Sequence, residues 1–501
     1  MGSLSSRVLR GRRPGPANPQ PEAQAGPSYI SGKRKRKQST GPCLIPKSKE
    51  NSHCSLRQGD DLQQVLSTSH KAKVKITSKY TYQALFLNGE TSDIKICALG
   101  KVWCLHKIFL CQSGYFASMF RGSCEESNKD IIELEISDQN IDVESLHFVL
   151  GSLYRDEYVL MEPLQVPRVL ATAYLLQVEG LIQKCDETMK ETINVKTVCG
   201  YYAAAENYGL DSVKTGCFEW LLHNLMTHPS IELYKELNID LMNLLISSSN
   251  LFVMQKEMDI YTTLKEWMFL HLNPAWKGSM KQLLVNANDW FSWHKKHVDS
   301  MAFLETEEGI AFQPVFKNLR FQHIICDLAS TRVIEQDTII PSEWLSSVYK
   351  QQWFTLLRMQ QCKEIGPRHI NEAELEGHSM RCGKRIVKDG KYSWKWSGYN
   401  FGFPLHVIFS SHYIIFKQNI FSQPCESSVC LQSLRNIAFR LSLVYFDSSG
   451  KLSFRKTTGY KILTFERDEE QVVMKLDNIV LTFPLYIFCN FLFISLENSG
   501  N

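Results

Sequence analysis

Asp93 to Phe120 is the stretch that most constrains this chain. It reads Asp93-Ile94-Lys95-Ile96-Cys97, a reversal at Leu99-Gly100, then Lys101-Val102-Trp103-Cys104-Leu105-His106-Lys107. This pattern predicts two short strands joined by a tight turn. Ile108 to Phe120 follows at once, with Ser113 placed to cap a helix whose Phe116, Met119 and Phe120 recur at i, i+3 and i+4. Strand, turn, strand and two short helices in so little chain commit its front to an α/β module. His106, at a strand-to-helix junction, is expected to make structural hydrogen bonds, not to catalyse.

The flanks extend the pattern. Tyr80 to Leu87 predicts a short helix with Tyr82, Leu85 and Phe86 on one face, stopped at Asn88-Gly89. Asp130 to Ile136 alternates as a strand with one wet face, and Asp142 is placed to cap a helix carrying Leu146, Val149, Leu150 and Leu153. Val169 to Cys185 supplies a closing helical pair. The order of residue types resembles the BTB/POZ domain over residues 78–190: Asp at the first strand, His-Lys after the second, then Leu-x-x-Ser-x-Tyr-Phe-x-x-Met-Phe. The resemblance implies a homodimer in which Tyr82, Leu85 and Phe86 pack against a partner subunit; the residues themselves also permit a staple onto their own sheet. Many BTB adaptors place a hydrophobic-x-Glu triplet in a groove on a cullin. Here Phe120 leads to Cys124-Glu125-Glu126, which puts Cys124 at the hydrophobe and Glu126 at the acid. A thiol offers much less area at ~25 cal/mol per Å². The weakened anchor would cost about 1 kcal/mol, close to tenfold in affinity.

From Asn194 the periodicity is helical, through Trp220, Leu241, Leu245, Ile260, Leu264 and Trp267 to Val315–Phe321. Residues 191–350 resemble the all-α BACK domain, a spacer between dimer and recognition module. The last third changes period. Asp389-Gly390 between two apolar runs is a hairpin signal, Asp447-Ser448-Ser449-Gly450 turns a second strand pair, and the broken run 480–494 reads as two buried strands. Residues 375–501 are therefore expected to form an antiparallel β-rich sandwich or barrel. No Gly-Gly pair or ~50-residue repeat supports a kelch propeller. Tyr392, Trp394 and Trp396 share a strand face with Tyr399 close behind. Core packing accounts for such a set, and the sharper expectation is that Trp396 and Tyr399 line a substrate groove.

Charge separates the tail from the body. Residues 1–80 hold 16 Lys and Arg against 4 Asp and Glu, which leaves 40 basic and 48 acidic groups in the remainder. Pro, Gly, Ser and Lys dominate residues 1–77, a composition expected to be disordered. Lys33-Arg34-Lys35-Arg36-Lys37 reads as a nuclear-import patch. Gly2 fits a myristoylation pattern, so membrane contact is expected only through an N-terminal lipid. A mildly acidic body argues against direct nucleic-acid binding. The fifteen cysteines include no C-x-x-C, and no secretory signal opens the chain; together these point to a reducing, nucleocytoplasmic compartment. Phosphate loops, H-E-x-x-H, G-x-S-x-G and a RING-like cysteine ladder are absent from the sequence, so neither an enzyme nor a cofactor or metal is expected.

Taken together, a basic tail, BTB, BACK and a single non-kelch β-rich end resemble the germ cell-less family. The resemblance is carried by Arg381-Cys382-Gly383, Trp394-x-Trp396-x-Gly398-x-Asn400-Phe401-Gly402-Phe403 and Phe446-Asp447-Ser448-Ser449-Gly450-Lys451-Leu452. It implies an α+β multidomain adaptor that recruits substrates to a cullin-3 ubiquitin ligase. It also implies a place in the nucleus, at the matrix or envelope, and a role in germ-cell differentiation, development and spermatogenesis. The implied partners are cullin-3, lamina-associated proteins and the dimerisation subunit of a cell-cycle transcription factor. The alternative is a nuclear scaffold or transcriptional co-regulator without ligase activity.

Overall fold

The computed structural model describes residues 78–121, 130–156, 160–297, 301–362, 366–367, 370–396, 405–418, 435–466, 469–477 and 479–495. Gly2, Lys33 to Lys37, Cys124, Glu126 and Tyr399 lie outside them. Thr81–Leu87 (α1) is wound as a π-helix and ends at Asn88, whose N–H donates to the Gln83 carbonyl at 3.2 Å. Gly89 follows at φ +66°, and a Cβ there would stand 2.8 Å from that of Cys104. Ile94–Ala98 (β1) and Lys101–Leu105 (β2) pair antiparallel, with Ile96 opposite Trp103. Leu99 and Gly100 between them both take positive φ, 49° and 75°, the conformation whose twist suits a two-residue hairpin.

Side-chain caps then set the helices. Asp93 accepts the Lys107 N–H at 2.8 Å, opening Lys107–Leu110 (α2). Ser113 Oγ accepts the Phe116 N–H at 3.3 Å and donates to the Leu176 carbonyl, so it both caps Gly114–Arg121 (α3) and ties it to the closing helices. Ile131–Glu133 (β3) adds parallel to β1, giving the order β2-β1-β3. The alternation expected over 130–136 persists in the burial of Ile132 and Leu134, but pairing ends after Glu133. Val143–Ser152 (α4) opens on a reciprocal cap, in which Asp142 accepts the Ser145 N–H at 2.7 Å and Ser145 Oγ accepts the Asp142 N–H at 3.1 Å. Val166–Leu175 (α5) and Glu179–Glu191 (α6) close the module.

The helical region runs through Val198–Tyr208 (α7), Asp211–Asn224 (α8), Ile231–Glu236 (α9), Ile239–Ser247 (α10), Glu257–Leu272 (α11) and Met280–His297 (α12). It continues with Gln313–Lys317 (α13), Phe321–Ile324 (α14), Leu328–Asp337 (α15), Ser342–Cys362 (α16) and Glu372–His378 (α17). Gly209, at φ +73°, lets α7 turn into α8. Trp267 is fully buried and donates its indole N–H to the Leu237 carbonyl at 2.9 Å. A continuous apolar core joins this region to the front module, from Phe86 through to Leu345.

The C-terminal strands are Met380–Ile386 (β4), Tyr392–Trp396 (β5), Leu405–Phe409 (β6), Tyr413–Gln418 (β7), Arg435–Phe446 (β8), Leu452–Phe465 (β9), Glu470–Lys475 (β10) and Leu485–Ile494 (β11). They form two antiparallel sheets, β10-β7-β6-β5 and β4-β11-β8-β9, facing each other across a shared core. Two expectations are corrected. Asp389-Gly390 does not close a hairpin: β4 pairs with β11 and β5 with β6, so this turn carries the chain from one sheet to the other. Residues 480–494 make one strand, not two, because Val480 is 88 % exposed and pairing begins only after Pro484, which has no N–H to donate. Asp447–Gly450 does turn β8 into β9.

Candidate interaction surfaces

On the front module, α1 divides its apolar residues between two environments. Phe86 is only 4 % exposed and fills the module's own core, its ring against Tyr154 and His147. As a dimer-interface residue Phe86 is therefore corrected: its surface is already spent within the chain. Tyr82 and Leu85 remain half-buried, and Tyr80 and Leu87, outside the apolar face that periodicity picks out, are 59 % and 50 % exposed. Arg155 stacks its guanidinium 3.4 Å from the Tyr82 ring centroid. Beside that ring opens a cleft of ≈ 460 Å³, with Lys101, His147 and Arg155 in its wall. Burial, Lys101 and Arg155 hold the His147 imidazole below its ordinary value.

His106 is structural. Its Nε2 lies 2.8 Å from the Glu90 carbonyl and its Nδ1 3.2 Å from the Tyr154 hydroxyl, which also accepts the His106 N–H at 2.8 Å. Burial pushes the Tyr154 phenol up to about 12. Phe120, in the last turn of α3, is half-buried and stacked on Phe116, with the Lys107 ammonium 5.9 Å from its ring centroid. Ile108, next to that lysine, is 78 % exposed.

Two of the stretches that carry the germ cell-less resemblance, Arg381-Cys382-Gly383 and Phe446 to Leu452, meet at the joint between helices and sandwich. Arg381 on β4 crosses the start of α11, where its main-chain N–H and Nε donate to Glu257 Oε1 at 3.0 and 2.9 Å and its Nη2 to Oε2 at 3.0 Å. Its Nη1 takes the Ile246 and Ser248 carbonyls at 2.7 and 2.9 Å. Burial alone would raise the Glu257 carboxyl; Arg381, with Arg320 and His323 beyond it, holds it below its ordinary 4.5. Two residues on, a Cβ on Gly383 would stand 2.0 Å from the Val253 carbonyl oxygen, so only glycine lets β4 pass here.

The β8–β9 turn makes the second half of the joint. Its Gly450 carbonyl accepts from Asn224 Nδ2 at 2.8 Å and its Ser449 carbonyl from the Trp220 indole at 3.2 Å. Phe252 stacks on Phe488, and Asn490 Nδ2 donates to the Ser249 carbonyl at 3.0 Å. Arg320 binds the Ser379 carbonyl and the Glu376 carbonyl, the latter at 2.6 Å. Burial and the nearby Arg381 bring Arg320 down to about 9.

Trp396 belongs to the core. It is 3 % exposed and donates its indole N–H to the Gly383 carbonyl at 3.2 Å, so it does not line a groove. The β5 aromatics face the sandwich interior, and the residues available to a partner are those between them. Among the described residues no cluster of three or more His, Cys, Asp or Glu is placed to hold a metal, and no helix is long and apolar enough to cross a membrane.

A BTB/POZ domain matches residues 82–193. The chain is 60 % identical over 516 residues to human "Germ cell-less protein-like 1", covering 100 % of both proteins. It is 34 % identical over 494 residues to "Protein germ cell-less" of Drosophila melanogaster, covering 94 % of this chain and 84 % of that protein. To human "Kelch-like protein 6" it is similar only through 37 % of its own length, at 24 % identity.

Proposed function

Because the chain belongs to the germ cell-less family of BTB proteins, we propose that it is a substrate-recognition adaptor of a cullin-3 ubiquitin ligase. It pairs with a second copy through the BTB module and holds substrates on its C-terminal β module. The observation that carries this reading is the joint around Arg381 and Glu257, which fixes the β module on the helical spacer. An adaptor works by raising the effective concentration of a substrate beside the transfer machinery, and a stiff spacer maintains that geometry. The chain transfers no ubiquitin itself; that chemistry lies with recruited partners. The likeness to "Kelch-like protein 6" over 37 % of this chain, beside the BTB/POZ match at residues 82–193, supports this reading. Import through Lys33 to Lys37 places the adaptor in the nucleus, at the matrix or envelope, where lamina-associated proteins and the dimerisation subunit of a cell-cycle transcription factor are its partners. Its setting is germ-cell development. Neutral replacement of Lys33 to Lys37 with unchanged nuclear accumulation refutes the import signal.

A second reading has one observation in its favour. Cys124 stands where a cullin groove is best filled by a large apolar side chain, which suits a nuclear scaffold or transcriptional co-regulator that dimerises without transferring ubiquitin. Co-purification with cullin-3, repeated with Cys124→Trp, separates the two. Binding by the natural sequence supports the adaptor, and binding only by the variant supports the scaffold.

A further inference from the structure

The sheet β4-β11-β8-β9 packs its outer side on the helical region, Phe252 against Tyr486 and Phe488 and Leu375 against Ala438 and Ile494, and the outer side of β10-β7-β6-β5 is the opposite surface of the sandwich. In the latter sheet, Trp396, Val407, Phe409, Ile414 and Phe416 point into the sandwich, so the residues between them form the outer face. Strand pairing sets these in two rows. Ser393, Ile408, Ile415 and Val472 stand side by side, and Lys395, His406, Lys417 and Glu470 form the adjoining row. None of the eight is buried. Val472 is 50 % exposed beside a bulge at which Val473 and Met474 both turn inward.

Two properties of this face select what fits it. Ile408, Ile415 and Val472 make an apolar bar across three adjacent strands, flanked by a positively biased row. Lys395 and Lys417 stand there against Glu470, which Lys417 pairs at 2.9 Å, and Lys391 lies close enough to act on the same carboxylate. Burial, then Lys395 and Lys417, hold His406 below its ordinary value, a local trace of that field. The second property is spacing. Neighbouring strands lie ~4.8 Å apart and successive outward residues ~6.7 Å along a strand, while a helix advances ~5.4 Å per turn. A helix laid across the strands would set side chains at i, i+3 or i+4, and i+7 over Ile408, Ile415 and Val472 in turn, with one flank above the lysines.

The geometry points to this outer face as the docking site for an amphipathic helix of a partner protein, apolar along one stripe and acidic along the next. The role of that helix as part of a ubiquitination substrate rests on the adaptor reading; the docking itself does not. The strongly basic first 80 residues have the wrong sign to fill the site. A second copy of this face would oppose it with the same charge.

The test pans the full-length protein against a displayed library of random peptides of about 16 residues, four to five helical turns. Ile408→Ser/Ile415→Ser and Lys395→Glu/Lys417→Glu variants, checked for unchanged melting, are panned in parallel. Fluorescence anisotropy then measures the enriched consensus peptide. The expected result is apolar residues at i, i+3 or i+4, and i+7 with an acidic flank, bound at least about tenfold more weakly by either variant. The charge-reversed variant should prefer the same peptide with lysines in place of its acids. Enrichment of basic peptides, of peptides broken by a central proline, or of none overturns the proposal. So does undiminished binding by both variants, which would place the acidic peptide on the basic first 80 residues or elsewhere. Cullin-3 co-purification is read separately: its loss from every form, the natural sequence included, counts against the adaptor and leaves the docking result standing.

Discussion

Arg381 lays its guanidinium along the carboxylate of Glu257, one nitrogen to each oxygen, with Arg381 1 % and Glu257 0 % exposed. Two charges withdrawn from water lose much of their mutual attraction to desolvation, so such a pair adds little net stability while being costly to break. Its effect is to fix where β4 crosses α11, since one guanidinium serves both the carboxylate and the Ile246 and Ser248 carbonyls. Arg381→Met should cost about 3–5 kcal/mol, because it leaves Glu257 buried and unpaired. Arg381→Met/Glu257→Met should cost clearly less than the two single losses added together, read from urea unfolding as a double-mutant cycle. Additive losses would mean that the two residues are not coupled.

The same joint should loosen in mild acid. Burial brings both His223, packed on Phe252 and Phe446, and His323, whose Nε2 lies 2.7 Å from the His378 carbonyl, down to about 4 from 6.5. A lowered histidine is neutral when folded yet binds a proton when unfolded. Its contribution is therefore whole above pH 6.5 and drains away as pH falls toward 4, on the order of 3 kcal/mol for each. Glu257, lowered from 4.5, adds its own loss below that value. Burial raises Glu266 to about 7, which works the other way over this range, so the test is the change in slope: His223→Phe or His323→Gln should each remove up to about one proton from the pH dependence of urea unfolding between about pH 7 and 4.5. A slope that neither substitution changes would refute this assignment.

At the front, Phe86 and its neighbours on α1 should respond differently. Phe86→Ala empties a core position and should cost about 3–5 kcal/mol. Gly151→Ala should cost about 1–3 kcal/mol by overpacking, because the added Cβ would stand 2.8 Å from the Phe86 ring and 3.1 Å from that of Tyr82. Tyr82→Ala/Leu85→Ala should leave more of the melting temperature intact while shifting the protein from dimer to monomer in sedimentation velocity. A strict monomer at micromolar concentration before any substitution removes the self-pairing step altogether.

Local chemistry made the front module legible. Ser113, Asp142 and the Leu99-Gly100 turn act on groups a few residues away, and each does what its neighbours in sequence imply. Asp389-Gly390 shows where that reasoning stops, because a turn dipeptide encodes a reversal and not the strand that is met afterwards. β4 pairs instead with β11, about a hundred residues on. Trp396 illustrates a related limit. Alternation placed the β5 aromatics on one face, but only the opposing sheet decides that this face is inside and that Lys395 looks outward. Arg381-Cys382-Gly383 could be recognised by resemblance, yet its purpose lies in Glu257, 124 positions earlier. The apolar bar on the outer face is illegible in sequence for the same reason, since Ile408, Ile415 and Val472 become neighbours only through strand pairing.

Gly450 and Gly459 separate backbone strain from contact in that joint. Both take positive φ, +81° and +64°, but a Cβ on Gly450 would stand 2.7 Å from Asn224 Oδ1, whereas one on Gly459 meets no described atom within 4 Å. Gly459→Ala should therefore show the conformational penalty alone, about 1–2 kcal/mol. Gly450→Ala should exceed it, because the new methyl must also push Asn224 off the Gly450 carbonyl and disturb the Trp220 indole beside it. Urea unfolding gives the two costs, and hydrogen exchange at the Trp220 indole should rise in Gly450→Ala only. Equal costs for the two alanines, with the indole equally protected in both, would show that the β8–β9 turn is held by its own geometry and not by α8.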